Sequence, residues 1–89
     1  MRSGQIAVTT AGTAVKGTDV SGEIFAITPA PANTGIVYVG ADETNIDVAS
    51  TTGFPLRPGE SVMLVAANLS ELWFDATVNG EAACWLRIA

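Results

Sequence analysis

The chain has 89 residues, 48% apolar and 15% charged, with nine acidic and four basic side chains, no histidine and a formal net charge of −5. A chain this short makes one small domain that buries only about 60–65% of its unfolded surface, so stability margins are thin. The apolar content excludes disorder by composition, and the acidic balance disfavours a nucleic-acid partner, because the field repels phosphate.

The longest apolar run, Val62 to Ala67, is far short of the ~20 residues of a membrane helix. No hydrophobic run follows Met1-Arg2-Ser3-Gly4, so no secretion leader is expected. Cys84 is the single cysteine; it makes neither an intrachain disulfide nor a cysteine zinc site and reads as a small buried apolar residue.

In chain order, the period-two pattern predicts strands at 5–10, 13–16, 23–28, 36–40, 45–48, 61–66, 71–76 and 83–88. Residues 1–4, extending at most to about residue 10, read as an N-terminal arm on a single domain spanning 1–89. Thr28-Pro29-Ala30-Pro31 closes the third strand, since proline donates no ladder bond. Arg57-Pro58-Gly59-Glu60 fits a type II turn. Ala67–Leu72 is too short for a stable helix, and Asn68 belongs in a turn. The expected fold is all-β, a small antiparallel sandwich or barrel of about seven to eight short strands. Phe25 or its neighbours, with Val37, Val39, Val62, Leu64, Leu72, Phe74, Leu86 and Ile88, are the expected core.

Asn79-Gly80 separates the last two strands and reads as a hairpin. A two-residue turn pairs Phe74 with Trp85 and mixes apolar with charged positions. A three-residue loop with Gly80 as a G1 bulge instead pairs Leu72 with Leu86, Phe74 with Cys84, and Trp73 with Trp85 on the opposite face, and it is the preferred register. It places both tryptophans on the face away from the Leu/Phe core, a face that is either a second core layer or a contact surface. Ile36 and Tyr38 run out of phase with Val37 and Val39, as do Met63 and Val65 with Val62 and Leu64. These second apolar faces point to self-association. The candidate interface residues are Ile6, Val8, Tyr38, Met63, Trp73 and Trp85.

Site chemistry is sparse. Without histidine the commonest general base is missing, and no enzyme, cofactor or metal is expected. Asp42, Glu43 and Asp47 lack the ligand spacing of a calcium loop and read as a solvated loop. Asn68-Leu69-Ser70 matches a glycosylation sequon and reads as chance.

Several strings carry a resemblance: Gly12-Thr13-Ala14-Val15, Asn33-Thr34-Gly35-Ile36-Val37-Tyr38-Val39-Gly40, Gly53-Phe54-Pro55-Leu56-Arg57-Pro58-Gly59-Glu60-Ser61-Val62, Asn68-Leu69 and Cys84-Trp85-Leu86. In this order, from about residue 12 to the end, the chain resembles small virion-associated structural proteins of tailed bacteriophages, including capsid decoration and head-fibre proteins. Lys16–Glu23 departs from the family pattern, where an apolar stretch follows Ala-Val. The resemblance implies a compact β domain built into a particle, with no catalytic residues. The expected role is a decoration protein on the outer surface of the assembled head, partnered by the major capsid protein and by itself as a homotrimer, after synthesis in the bacterial cytoplasm. The alternatives are a tail, baseplate or head-fibre module, or a host-glycan-binding module with Trp73, Trp85 or Tyr38 as stacking platforms.

Overall fold

The computed structural model describes residues 2–41 and 53–89. Eight short strands form in chain order: β1 Ser3–Ala7, β2 Val15–Lys16, β3 Ile24–Pro29, β4 Val37–Gly40, β5 Phe54–Leu56, β6 Val62–Val65, β7 Trp73–Ala76 and β8 Ala82–Arg87. They make two four-stranded antiparallel sheets, ordered β1-β8-β3-β6 and β2-β7-β4-β5. The all-β expectation holds, in its sandwich form. The candidate strand at 45–48 and the acidic cluster Asp42, Glu43 and Asp47 lie outside the described residues. The strand at 54–56 was not anticipated, because Pro55 reads against a strand. It sits at the edge of its sheet, where a missing donor is tolerated.

Only β4 and β5 are both consecutive and paired; elsewhere successive strands alternate between the sheets. The predicted β7–β8 hairpin is therefore overturned in both registers. β7 lies between β2 and β4, and β8 between β1 and β3. Trp73 faces Lys16 and Gly40 across its strand partners, whereas Trp85 faces Gly4 and Ile27. The magnitudes explain the choice. An exposed cross-strand aromatic pair contributes about 0.2–1 kcal/mol, while burying one large side chain contributes about 1.5–3 kcal/mol. Trp85 is 5% exposed and meets Phe25 edge-to-face, with ring centroids 6.4 Å apart.

Asn79 and Gly80 still turn the chain, but their partners lie in the β1–β2 connection. The Gly80 N–H donates to the Val8 carbonyl (2.8 Å), and the Ala11 N–H donates to Asn79 Oδ1 (2.8 Å). Gly80 has φ of 81° with open space around its Cα. Gly80→Val should therefore cost about 2 kcal/mol through backbone strain alone, read as a lower urea midpoint with an unchanged slope.

The core gathers Ile6, Val8, Val20, Phe25, Ile27, Val37, Val39, Leu56, Leu69, Leu72, Phe74 and Trp85, with Val62 and Leu64 packed against it. Two expected core residues are corrected. Because Trp85 points inward, strand alternation turns Leu86 outward to a half-buried position, and Ile88 is 41% exposed. The N-terminal arm is corrected too. Ser3–Ala7 pair with β8, and Val8 is completely buried. The Lys16–Glu23 stretch continues β2 only as far as Lys16, then drops Val20 into the core.

Side chains lock the crossovers. Asn68 caps the 3-10 turn Leu69–Glu71, its Oδ1 accepting from Ser70 N–H (2.9 Å) and Val20 N–H (3.1 Å), while its Nδ2 donates to Asp19 (2.8 Å). Asn33 donates through Nδ2 to the Ala82 carbonyl (2.7 Å) and accepts from the Ala82 N–H (3.3 Å). The buried Asp75 accepts from the N–H groups of Gly12 (3.0 Å) and Ala76 (2.8 Å). The Arg57–Glu60 turn forms as expected, with Gly59 at φ 89° and Glu60 N–H donating to the Arg57 carbonyl (2.9 Å).

Glu81 clamps the β3–β4 loop. Its carboxylate accepts from the N–H groups of Thr34 (2.6 Å) and Gly35 (2.9 Å). The Thr34 N–H, with help from the other donors, holds its pKa below the ordinary 4.5. A carboxylate depressed in the folded state stabilises the fold above its unfolded pKa, and that contribution is lost as pH falls through the folded value. The melting temperature of Glu81→Gln should therefore fall short of the parent's above pH 4.5, and the gap should close on further acidification.

Candidate functional site

The alternation that turns Phe25, Ile27 and Trp85 inward turns their neighbours outward on the first sheet. Two ranks cross this face. One runs Ser3, Leu86, Ala26, Met63; the next runs Gln5, Cys84, Thr28. Ile24 and Val65 form a third pair beside them. Ala26 and Cys84 are small, so the face is grooved rather than flat. A groove of about 210 Å³ is lined by Ala26, Thr28, Ser61, Cys84 and Leu86, with Ile27 and Trp85 at its floor. None of the outward residues in these ranks carries a charge, although the chain's net charge is −5. Met63 and Val65, at 68% and 84% exposure, form its rim. Cys84 is half-buried on this face, accepting from Gln5 Nε2 (3.5 Å), and is not the core residue its apolar character suggested.

The six candidate interface residues are divided by the fold. Ile6, Val8 and Trp85 are buried in the core. Met63 stands on the outer face of the first sheet. Tyr38 and Trp73 stand on the outer face of the second, half-buried and diagonal to one another, since Tyr38 opposes Asp75 and Gly40 opposes Trp73. The glycan reading thus loses Trp85 as a platform. Ile24, Ala26 and Leu86 also belong to this apolar face, which the sequence marks only through Met63 and Val65. Ile24-Phe25-Ala26-Ile27 is apolar at every position, so its sequence does not show which residues turn outward; the structure buries Phe25 and Ile27 and leaves Ile24 and Ala26 half-buried. Leu86 was hidden by the hairpin register, which turned it inward.

Among the described residues, no group of three His, Cys, Asp or Glu side chains converges, and no helix is long and apolar enough to cross a membrane. No family model, no curated protein and no solved structure matches the chain.

Proposed function

We propose that the protein is a non-enzymatic virion structural protein of a tailed bacteriophage, a capsid decoration protein that seats on the outside of the assembled head and stabilises it. The observation that carries this reading is the uncharged apolar face of the first sheet, from Ile24 through Ala26 and Leu86 to Met63. An exposed apolar face of this kind is a contact surface for another protein. The sequence resemblance supplies the particle and its major capsid protein as the partner. Excess negative charge on the rest of the domain favours the outside of the shell, away from packaged nucleic acid. Stabilisation would come from area buried at each copy and repeated over the lattice.

The test compares heads with and without the protein under heat or chelator stress. Decorated heads should survive longer, and the protein should bind expanded heads but not free capsid subunits. Ala26→Glu puts a charge in the middle of the groove at an outward, half-buried position and should reduce occupancy at least tenfold. Equal survival of bare and decorated heads would defeat the stabilising role. Localisation to the tail would favour the tail or baseplate alternative. Binding on a glycan array that is lost in Trp73→Ala would favour the glycan module.

A further inference from the structure

Each sandwich has four strand edges among the described residues, and two of them are blunted. β5 carries Pro55, and β2 is two residues long and contains Lys16; β1 has neither defence, but its outward side chains are only Ser3, Gln5 and Ala7. Proline, lysine and short length are the usual defences of an edge strand. β6, four residues long, carries neither proline nor lysine and, unlike β1, turns two large apolar side chains outward. Its residues are Val62-Met63-Leu64-Val65, it pairs with β3 on one side only, and its other side is open among the described residues.

The ladder shows which backbone groups are left over. The Ile88 N–H donates to the Ile24 carbonyl, so Ile24 engages β8. Alternation then directs Phe25 and Ile27 to β6, where they oppose Leu64 and Val62. The Ala66 N–H bond to Glu23 continues the same phase. Met63 and Val65 therefore aim their N–H and C=O groups at the open edge. These are also the two outward apolar side chains on β6.

We infer that β6 is a self-pairing edge that binds β6 of a second copy of this chain, antiparallel and about a twofold axis, with Met63 opposite Val65. Phase restricts the register. Only even offsets keep inward residues opposite inward residues and both cores on one side of the joined sheet. Of these, the pairing centred on Leu64 satisfies the free N–H and C=O groups of Met63 and Val65 in both copies. It also sets each exposed side chain against an apolar partner. A register centred on Met63 would instead place Val65 against Ser61. The contact is isologous, so it closes at two copies and makes one eight-stranded sheet whose apolar outer face is continuous across the axis. β6 itself is uncharged, which spares the acidic chains direct repulsion there.

Four residues a side bury less than the ~1,200 Å² of a standard interface, so affinity should be weak, with Kd of order 10–100 µM. This pairing is a property of the free protein and is measured without heads, so it stands or falls apart from the decoration role. Sedimentation velocity between about 1 µM and 1 mM should show a monomer–dimer equilibrium. Amide exchange should slow at Met63 and Val65 as concentration rises. Val65→Lys, at a position 84% exposed, should keep the parent melting temperature and weaken the dimer more than tenfold. A protein that stays monomeric throughout would overturn the inference. So would exchange at Met63 and Val65 that ignores concentration, or a trimer that persists in Val65→Lys. Should that variant fold poorly, the exchange measurement on the parent decides the question.

Discussion

Trp85→Ala is expected to remove most of the protein's stability. The indole is 5% exposed, packs edge-to-face on Phe25 and covers Gly4 on β1, where a Cβ would come within 3.1 Å of the ring. Truncating a buried tryptophan costs about 3–5 kcal/mol, the sum of lost transfer energy and the cavity left behind. The whole domain has a stability of only about 4–13 kcal/mol at 0.05–0.15 kcal/mol per residue. With a urea slope near 1 kcal/mol/M, the midpoint should drop by about 3 M or more. Trp73→Ala, at a half-buried position on the outer face of the second sheet, should cost about a third as much. Trp85→Phe is an informative control. The indole Nε1 is buried without a hydrogen-bond partner among the described residues. Phenylalanine loses volume but also removes that unsatisfied donor, a penalty of about 1–3 kcal/mol, so this variant should stay close to the parent. Equal losses for Trp73→Ala and Trp85→Ala would mean that the tryptophans share one environment, as the hairpin register required.

Deleting residues 1–8 should abolish cooperative folding. This segment contributes Ile6 and Val8 to the core, and its strand β1 covers one side of β8 from Ala82 to Leu86. Loss of the two side chains forfeits about 3–6 kcal/mol of burial, and each ladder bond adds about 0.5–1.5 kcal/mol. The sum meets or exceeds the stability expected of a domain this small. The deletion also exposes β8 as a new edge, so aggregation should accompany unfolding. Removing residues 1–2 alone loses chiefly the bond from Arg87 N–H to the Arg2 carbonyl (2.8 Å) and should leave a cooperative melt. A folded, monomeric protein lacking residues 1–8, by circular dichroism and thermal melting, would restore the loose-arm reading.

The apolar face was partly legible before any coordinates. Met63 and Val65 stand out because they alternate with Val62 and Leu64, and the structure keeps that phase, with the first pair exposed and the second packed on the core. Tyr38 was read in the same way, and its neighbours Val37 and Val39 are buried as expected. What could not be read was that Met63 and Tyr38 belong to opposite outer surfaces. Alternation assigns a residue to one of two faces of its own strand but carries no information about which sheet that strand joins.

That distinction divides the whole protein. The strand-rich class, the turn at Arg57–Glu60, the turn position of Asn68 and the positive φ of Gly80 are legible in the amino-acid sequence, because each follows from local backbone chemistry. The expected burial phase of β4 and β6 holds, with Val37 and Val39 buried and Val62 and Leu64 packed on the core, whereas Ile24-Phe25-Ala26-Ile27 is apolar at every position and its phase is set by tertiary packing. The partners of β7 and β8, the inward turn of Trp85 and the recruitment of Ser3–Ala7 as an edge strand are set by long-range packing. A turn such as Asn79-Gly80 reverses the chain equally well within a sheet or between two. The choice is made by long-range burial, where enclosing one tryptophan, one isoleucine and one valine outweighs any pairing energy a local hairpin offers.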